Sequence, residues 1–592
     1  MNSAKERISQ LRNLLKQKNI DAWIIPSADS HQSEYVAGHW KCRHWLSGFT
    51  GSAGTLVITQ DKAGLWTDSR YFLQAEKELA GSGIMLFKIG EENVPGYSEW
   101  IRDNLNYQSI VGFDGSLLSV NEVTNLMEIL SENGISMHYS EDLINEVWAG
   151  RPLVPQNPIE ILEENFSGEK CKDKLDRIRQ IMFSSNANCT IISALDDVSW
   201  IFNIRGADME YNPVVVAYAF ISMEKAYLFI DKKKITTSIQ EYFLHINVEL
   251  RGYFDILDFL AKLNGKDKIL LDNNKVSQKL KDCIPANCKI IEKSNIVADL
   301  KSVKNNIEII GFKNAHVRDG VAMVKWLFWM EQNVGLIDMD EYSVAQKLEE
   351  FRSVGKDFRG LSFSTIVGYK ENGAIVHYTA TKDNAKKIEK DGLLLVDSGA
   401  QYNDGTTDIT RTISLGNVTD EEKNAYTTIL KGHIGLSKAV FPKGYTGAMI
   451  DTFARGPIWE TYYNYGHGTG HGVGHYLNVH EGPHQIKPTN HCEIKVGMVT
   501  SNEPGMYLEG KFGIRIENLI LTILKEYNKY GSFLGFDTLT LCPYDLNLIN
   551  VDRLTHDEKE WMNNYHEKVY KVLSPKLTEE ETNWLDIKTQ RI

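Results

Sequence analysis

No segment of this sequence is long and apolar enough to span a membrane. The longest strongly apolar run covers residues 214–221, whereas a membrane-spanning helix needs about 20 such residues. The first residues place Ile8, Leu11 and Leu15 among charged side chains. This pattern predicts an amphipathic helix and lacks the apolar core of a signal peptide. We therefore expect a cytoplasmic protein with no membrane partner.

Cysteine, proline and basic charge are also sparse. The seven cysteines are odd in number and form no CxxC pair, which argues against a disulfide framework and against a thiolate zinc site. Only 14 prolines, with 42% hydrophobic and 24% charged residues, indicate a globular chain without a large disordered fraction. The net charge of −13 argues against nucleic acid as a partner.

The chain is too long for one hydrophobic core, so we expect several domains. Helical and strand patterns alternate in its first part, which indicates an α/β (α+β) fold. After a proline-rich break at 151–158 a similar succession recurs, which favours a second domain of the same fold; two unrelated small α/β domains are the alternative. The segment 296–334 has few breakers and predicts one or two buried helices.

All concentrated chemistry follows that helical segment. We therefore predict three domains, at residues 1–153, 154–302 and 303–592, and expect the third to be catalytic. Its C-terminal extension, from about residue 525, carries helical patterning and no candidate catalytic cluster, as expected of a segment used for packing or dimer contacts.

Histidines and glycines are concentrated between Tyr465 and Pro483. Glycine occupies every second position from 466 to 474, which disfavours a helix and lets another group approach the backbone closely. Histidine is the commonest metal-binding side chain and the usual general acid or base near neutral pH. This nearly charge-free stretch predicts a functional site. Its histidines are His467, His471, His475 and His480.

A first acidic hairpin is predicted around the sequence Asn403-Asp404-Gly405. An apolar strand ends at Asp397, and a β-rich run after the loop carries Asp408. If the turn is centred near 402–403, the two aspartates face each other across the strands. Opposed residues of this kind have Cβ atoms about 4.5–5.5 Å apart.

A second hairpin is predicted around Gly510, where it would place Glu503 opposite Glu517. Two facing pairs of like charges destabilise a sheet unless the acids share protons or a cation lies between them. Four carboxylates and a histidine suit Mn²⁺, and less well Zn²⁺ or Co²⁺, and they suit two ions better than one.

Other catalytic motifs are absent. The sequence HEGPH at 480–484 is not HExxH, and its Gly-Pro prevents the helix which that motif requires. The glycine-rich stretch lacks the Lys-Ser/Thr of a phosphate-binding loop, and no serine nucleophile elbow is present. A metal site is therefore the favoured hypothesis.

Several long motifs occur in a characteristic order. They are DSHQSEY (29–35), WLSGFTGSAGTLVIT (45–59), LWTDSRYFLQAE (65–76), KNNIEIIGFKNAHVRDGVA (304–322), VDSGAQYNDGTTDITRT, HGTGHGVGHYLNVHEGP, SNEPGMY and GIRIEN. With them the chain resembles aminopeptidase P (X-Pro aminopeptidase), in the long three-domain cytosolic form of the creatinase/prolidase "pita-bread" superfamily. The resemblance covers nearly the whole chain. It implies two creatinase-like α/β domains followed by a pita-bread metallopeptidase domain.

The resemblance also implies a set of metal ligands. Asp408 and Glu517 would bridge two divalent ions, usually Mn²⁺ in this family. Asp397 would hold one ion, and His471 and Glu503 would hold the other.

Substrate contacts follow from the same resemblance. His377, His467 and His480 would line the substrate site and, together with Glu503, form the catalytic set. Arg70 would bind substrate by reaching the cleft of a neighbouring active site.

The implied activity is removal of the N-terminal residue from peptides with proline in second position, by attack of a metal-bridging hydroxide on the X-Pro bond. A homodimer is implied as well. A prolidase that cleaves only X-Pro dipeptides is the nearest alternative. A non-catalytic pita-bread protein is disfavoured because all five ligands are present, and a creatinase-like amidinohydrolase has no use for this metal set.

Overall fold

The computed structural model describes residues 3–592, which form two compact units. Unit 1 holds the described residues up to 161 together with 170–297, and unit 2 holds residues 162–169 and 298–592. Within 3–592, no helix combines the length and the apolar character that crossing a bilayer requires.

The first half of unit 1 is a six-stranded sheet with the order β4-β3-β2-β1-β5-β6. The strands are β1 (Ala22–Pro26), β2 (Thr55–Thr59), β3 (Ala63–Thr67), β4 (Met85–Lys88), β5 (Ile110–Phe113) and β6 (Ser136–His138). The helices are α1 (Ala4–Gln17), α2 (Cys42–Ser47), α3 (Phe72–Glu78), α4 (Tyr97–Asn104), α5 (Val120–Ser131) and α6 (Ile144–Val147). Only the pairs β1–β2 and β2–β3 are antiparallel.

The predicted N-terminal helix is α1. Ser3 and Glu6 form a capping box at its start, which satisfies backbone N–H groups that have no partner within the helix. Its apolar stripe, Ile8, Leu11 and Leu15, is buried in the core of this half.

The second half of unit 1 contains a sheet with the same strand order and directions as the first half. The strands are β7 (Ile159–Ile161), β8 (Cys189–Ile192), β9 (Ile204–Gly206), β10 (Ala217–Ser222), β11 (Ala226–Ile230), β12 (Val248–Arg251), β13 (Lys268–Leu271) and β14 (Lys289–Glu292). The helices from this stretch of chain are α7 (Glu164–Ser167), which belongs to unit 2, and α8 (Cys171–Ser184), α9 (Leu195–Ile201), α10 (Thr237–His245), α11 (Asp255–Leu260) and α12 (Gln278–Asp282). The sheet order is β12-β11-β10-β8-β13-β14, and the strand directions match those of the first sheet. The repeated topology confirms two domains of one fold and rules out two unrelated ones.

Unit 2 contains three larger sheets and a hairpin. The strands are β15 (Phe358–Leu361), β16 (Ile366–Tyr369), β17 (Leu393–Ser398), β18 (Ala400–Tyr402), β19 (Gly405–Thr406), β20 (Ile409–Ser414), β21 (Phe441–Pro442), β22 (Gly470–Gly472), β23 (Glu481–Ile486), β24 (Val499–Asn502), β25 (Gly505–Leu508), β26 (Phe512–Arg515), β27 (Asn518–Asn528) and β28 (Gly531–Thr538). The sheets are ordered β15-β18-β19, β16-β17-β20 and β21-β28-β27-β24-β22-β23, with β25–β26 as the hairpin.

Helices enclose these sheets. They are α13 (Ala298–Ser302), α14 (Asn306–Asn333), α15 (Glu341–Ser353), α16 (Asp420–Ser437), α17 (Gly447–Ile450), α18 (Thr452–Trp459), α19 (His556–Leu573) and α20 (Glu579–Lys588). The predicted helical segment 296–334 thus forms two helices, α13 and α14. Met323, Trp326 and Met330 on the second half of α14 are buried in one core with Leu394 of β17, as the apolar pattern predicted.

Candidate metal centre

The first acidic hairpin brings Asp397 and Asp408 close but does not place them face to face. β17 pairs with β20 so that Asp397 lies opposite Thr410, and β18 pairs with β19 in the same register. Because β19 already begins at residue 405, the turn contains only residues 403–404 and is centred one position later than the expected 402–403. That expectation was wrong, and Asp408 lies diagonally across from Asp397.

The second hairpin has the predicted register. Gly510 lies in the turn, and β25 pairs with β26 so that Gly505 faces Arg515. The inner ladder of β24 with β27 continues the same register. Glu503 and Glu517 lie at corresponding positions in the gap between the two ladders.

His471 lies on β22, beside β24. A Cβ atom on Gly470 would lie 1.9 Å from the carbonyl oxygen of Ser501, so glycine is required for the two strands to come this close. The backbone N–H of His471 donates to Ser501 Oγ at 2.9 Å, and its Nδ1 lies 2.9 Å from the Gly472 carbonyl oxygen. Because a carbonyl can only accept, Nδ1 carries a proton, and Nε2 is the atom available to a metal.

The two hairpins and β22 converge on one cluster of ligand atoms. Ligand atoms of Asp408, His471 and Glu517 all lie within 4.8 Å of one another. His471 Nε2 lies 3.4 Å from Asp408 Oδ2 and 3.4 Å from Glu503 Oε1. Glu517 is 1% exposed and Asp408 4%, so these two acids are shielded from bulk water.

The electrostatics of the cluster favour a bound cation. Burial, reinforced by neighbouring carboxylates, raises the pKa of Asp397, raises that of Glu503 to about 7, and raises that of Glu517 well above its ordinary value. Burial lowers the pKa of His471, but its hydrogen bond with Asp408 and the charge of Glu503 outweigh this and raise it to about 9. Ionising these acids together is therefore unfavourable in the absence of a cation, and a cation bound there would favour their ionised forms.

Unfilled acceptors in the cluster provide a test of fit. Asp397 Oδ1 and Glu517 Oε1 are buried and have no hydrogen-bond partner. The second oxygen of each acid is occupied, by Arg515 Nη2 at 2.5 Å and by Thr410 Oγ1 at 2.8 Å. A buried unsatisfied acceptor costs about 1–3 kcal/mol. Oxygen ligands with open lone pairs beside an imidazole Nε2 are what hard divalent ions take, so these residues fit the predicted metal site.

Arg515 organises the edge of the cluster and was not singled out from the sequence. It donates from Nη2 to Asp397, from Nη1 to the Tyr507 hydroxyl at 2.8 Å, and from Nε to Thr410 Oγ1 at 3.2 Å. Its guanidinium is buried and supplies positive charge beside Asp397, Glu503 and Glu517. The sequence feature that could have identified Arg515 was its position in the GIRIEN motif, two residues before the predicted ligand Glu517.

Two of the predicted histidines adjoin the cluster. His467 Nδ1 lies 2.8 Å from the Gly468 carbonyl and so carries a proton. Its Nε2 therefore accepts from the Tyr507 hydroxyl, 2.8 Å away. The ring of His480 packs edge-on against His471, with centroids 4.2 Å apart.

The remaining predicted residues lie on other segments of the chain. His377 is partly buried in a turn that follows the 3₁₀ helix Lys370–Ala374. Arg70 lies in unit 1, where its Nε and Nη2 both donate to the Asp68 carboxylate at 2.8 Å. The substrate-binding roles of both stay predictions.

Hydrogen bonds to neighbouring elements hold the strand ends next to Glu503 and Glu517. Asn502 Nδ2 donates to the His433 carbonyl of α16 at 2.9 Å. Asn518 accepts from Arg411 Nη2 at 2.9 Å and donates to the Tyr544 hydroxyl at 2.8 Å. Because Asn502 and Asn518 are paired in the sheet, these contacts set the spacing of the glutamates next to them.

Sequence-family models match along the whole chain. The model of metallopeptidase family M24 matches residues 311–523, and that of the C-terminal region of peptidase M24 matches 532–592. Two models of the creatinase/prolidase N-terminal domain match 7–147 and 150–308. Fold and site therefore define a metallopeptidase of family M24 that carries two creatinase/prolidase N-terminal domains, and the predicted fold is confirmed.

Comparison with individual proteins identifies a narrower family within this class of metallopeptidase. A probable Xaa-Pro aminopeptidase P from Laccaria bicolor is 42% identical over 97% of this chain and 91% of its own. Xaa-Pro aminopeptidase 1 of Dictyostelium discoideum is 40% identical over 98% and 95%. The crystal structure of the Caenorhabditis elegans X-prolyl aminopeptidase, described as a cytosolic enzyme with a di-nuclear active site, superposes with a TM-score of 0.96 over 100% of both chains at 32% identity. The chain belongs to the Xaa-Pro aminopeptidase family.

Proposed function

We propose that this protein is a metal-dependent aminopeptidase that releases the N-terminal residue from peptides with proline in second position. The observation that carries the proposal is the convergence of three carboxylates and a histidine Nε2, beside a fourth carboxylate, Asp397, that interacts with Asp408 through its charge, in a member of the Xaa-Pro aminopeptidase family. The same arrangement has no role in a protein that only binds partners.

The five ligands would hold two divalent ions, and we propose Mn²⁺ because the donor set is rich in carboxylate oxygen. Asp408 and Glu517, whose ligand atoms lie within 4.8 Å of each other, would contribute to holding both ions. Asp397 would be a further ligand of one ion. His471 and Glu503, whose ligand atoms are 3.4 Å apart, would be ligands of the other. When bound, such ions lower the pKa of water towards neutrality and polarise a carbonyl group.

Glu503 would handle the proton in this chemistry. It is the most exposed of the four acids, since 18% of its side chain is accessible, which leaves it the best placed of them to exchange a proton with solvent. We propose that Glu503 takes a proton from the attacking water and passes it to the departing proline nitrogen. Ser501 Oγ, which donates to Glu503 Oε1 at 3.2 Å, would hold the carboxylate in position.

The histidines would bind the reacting peptide. His480, stacked edge-on against the ligand His471, and His377 would donate hydrogen bonds to the oxygen that gains charge in the transition state. One such donor contributes about 3–4 kcal/mol in other enzymes. His467, held by Tyr507, would form part of an apolar shelf for the proline ring. Such a shelf is needed because an X-Pro bond has no N–H to recognise.

The cellular setting is part of the proposal. The similar enzyme from C. elegans is described as cytosolic, and we propose a cytoplasmic location here. We also propose a homodimer in which Arg70 reaches the substrate cleft of its neighbour. The homodimer and the role of Arg70 follow from the family resemblance alone. The net charge of −13 argues against nucleic acid or an anionic membrane as a partner.

The test combines metal analysis with peptide cleavage. Purified protein should contain two divalent ions per chain and should release arginine from a peptide beginning Arg-Pro-Pro. A matched peptide beginning Arg-Ala-Pro should remain intact. Cleavage of Xaa-Pro dipeptides but not of Xaa-Pro-Xaa tripeptides would identify a prolidase instead. An absence of hydrolysis in metal-loaded protein would refute the proposal.

A further inference from the structure

Glu341 is a fully buried carboxylate outside the metal cluster. It is 0% exposed and opens helix α15. Its Oε1 accepts from the Tyr369 backbone N–H at 2.7 Å and from Asn372 Nδ2 at 2.9 Å. Its Oε2 accepts from the Tyr378 hydroxyl and from the Lys386 backbone N–H, both at 2.7 Å. Four donor groups thus converge on one side chain.

The charge of Glu341 is held without a cation. None of the ion pairs formed by residues 3–592 includes it, because the nearby lysines pair elsewhere: Lys370 with Asp391, and Lys386 with Glu371. The four neutral donors and the N-terminus of α15 therefore stabilise the buried charge. Such an arrangement requires every donor to be in place, so it fixes the geometry of the segment that supplies them.

All four donors come from the segment 369–386, which contains His377. Tyr369 and Asn372 precede that histidine, and Tyr378 follows it directly. The far end of the segment has independent backbone support, since Asp340 bridges to Lys387. The Glu341 side chain therefore anchors the chain on both sides of His377, while the outer end of the segment is held by other bonds.

The anchored segment borders the metal centre. Tyr378 packs in a cluster with Ile366 and Leu395, and Tyr507 packs against the same cluster. Ile366 is the residue paired with Asp397 in the sheet. The 3₁₀ helix Lys370–Ala374 also lies directly against β26, the strand that ends at Arg515.

We propose that Glu341 is a positioning residue that holds His377 at the reacting carbonyl. This inference rests on the proposed function, and it extends the site to a carboxylate that binds neither metal nor substrate. Its role is geometric: by fixing Asn372 and Tyr378 on either side of His377, it sets where the imidazole can donate its hydrogen bond.

The substitution Glu341→Gln tests the proposal with little change in shape. Whichever oxygen the amide NH₂ replaces, it faces a backbone N–H, that of Tyr369 or that of Lys386, which then loses its acceptor. This loss should loosen the segment. In the metal-loaded variant we expect kcat for an Arg-Pro-Pro peptide to fall about 10- to 100-fold, as for a misplaced catalytic group. KM and the metal content should stay close to those of the wild type. Lys387→Met is the control, because Lys387 lies one residue beyond that segment and the change removes only its exposed ion pair with Asp338.

A double-mutant comparison separates positioning from a general loss of structure. If Glu341 acts through His377, then Glu341→Gln added to His377→Ala should lower kcat no further than His377→Ala alone. Hydrogen exchange supplies a readout independent of activity. The amides of Tyr369 and Lys386, which donate to the carboxylate, and those around His377 should exchange at least tenfold faster in the variant, with or without metal.

The proposal is overturned if the kinetic effects of the two substitutions multiply, if kcat survives Glu341→Gln, or if metal loss accounts for the defect. If Glu341→Gln fails to fold, Tyr378→Phe removes one donor while keeping the packed ring, and it should show the same kinetic pattern more weakly; a normal kcat there also refutes the idea. Failure of the wild-type protein to cleave any X-Pro peptide would instead reject the proposed function, and the exchange measurements would still report whether Glu341 anchors the segment.

Discussion

Replacing Glu503 by glutamine should abolish catalysis and yet raise the free energy of unfolding of the metal-free protein. The carboxylate is largely buried among other acids, and its pKa rises from the ordinary 4.5 to about 7 in the folded protein. At about 1.36 kcal/mol per pH unit, keeping it ionised at pH 8 costs the fold up to about 3 kcal/mol. Glutamine has a similar shape without the charge, so this cost disappears.

The sign of the pH dependence follows from the raised pKa. The protonated carboxyl makes its full contribution to stability below pH 4.5, and that contribution is lost as pH rises through 7. In chelator-treated protein, the free energy of unfolding should therefore fall across this window in the wild type by about 3 kcal/mol more than in Glu503→Gln. Urea titrations at pH 5 and pH 8 would measure this difference in free energy. The unfolding transition to follow is the one whose midpoint shifts when metal is added.

Added metal should reverse the order of stability. A ligand present at 1,000 times its Kd stabilises the folded state by about 4.1 kcal/mol, which exceeds the difference of about 3 kcal/mol, and the wild type should gain this while the variant gains much less. Glu509→Gln, which changes an exposed glutamate in the adjacent turn, is the matched control and should alter neither quantity. A metal-free Glu503→Gln protein less stable than the wild type at pH 8, or an undiminished response to metal, would refute the reasoning.

Three further substitutions probe separate parts of the site. Asp408→Ala should remove a bridging ligand, lower the metal content and abolish turnover, and near-normal activity in metal-replete protein would contradict its assignment. His480→Ala should lower kcat about 10²- to 10³-fold, as loss of an oxyanion donor does, with metal content retained; metal loss instead would make it a ligand. Tyr507→Phe removes the hydroxyl between Arg515 and His467 and should lower kcat about tenfold, by roughly one hydrogen bond, without loss of metal; unchanged kinetics would show that this link is dispensable.

Local pattern was enough to predict much of the architecture. The apolar stripe of α1 and the long helical segment ending in α14 could be predicted because helix formation depends on spacing over a few turns. The turn at Gly510 gave the correct register for Glu503 and Glu517, since a hairpin is specified by residues close in sequence. The first hairpin shows the limit: a shift of one residue in its turn moved Asp408 from opposite Asp397 to a diagonal position.

The sequence by itself determined the family, the two similar N-terminal domains and a set of acids and histidines suited to divalent metal, because these reside in long motifs and residue chemistry. Only the tertiary structure decided which other side chains hold these acids and histidines in place. Arg515 pairs with Asp397 across 118 positions, and Glu341 gathers donors 28 to 45 residues away. A buried charge takes as partner whichever donor packing delivers, and packing between distant elements leaves no periodic trace in the chain.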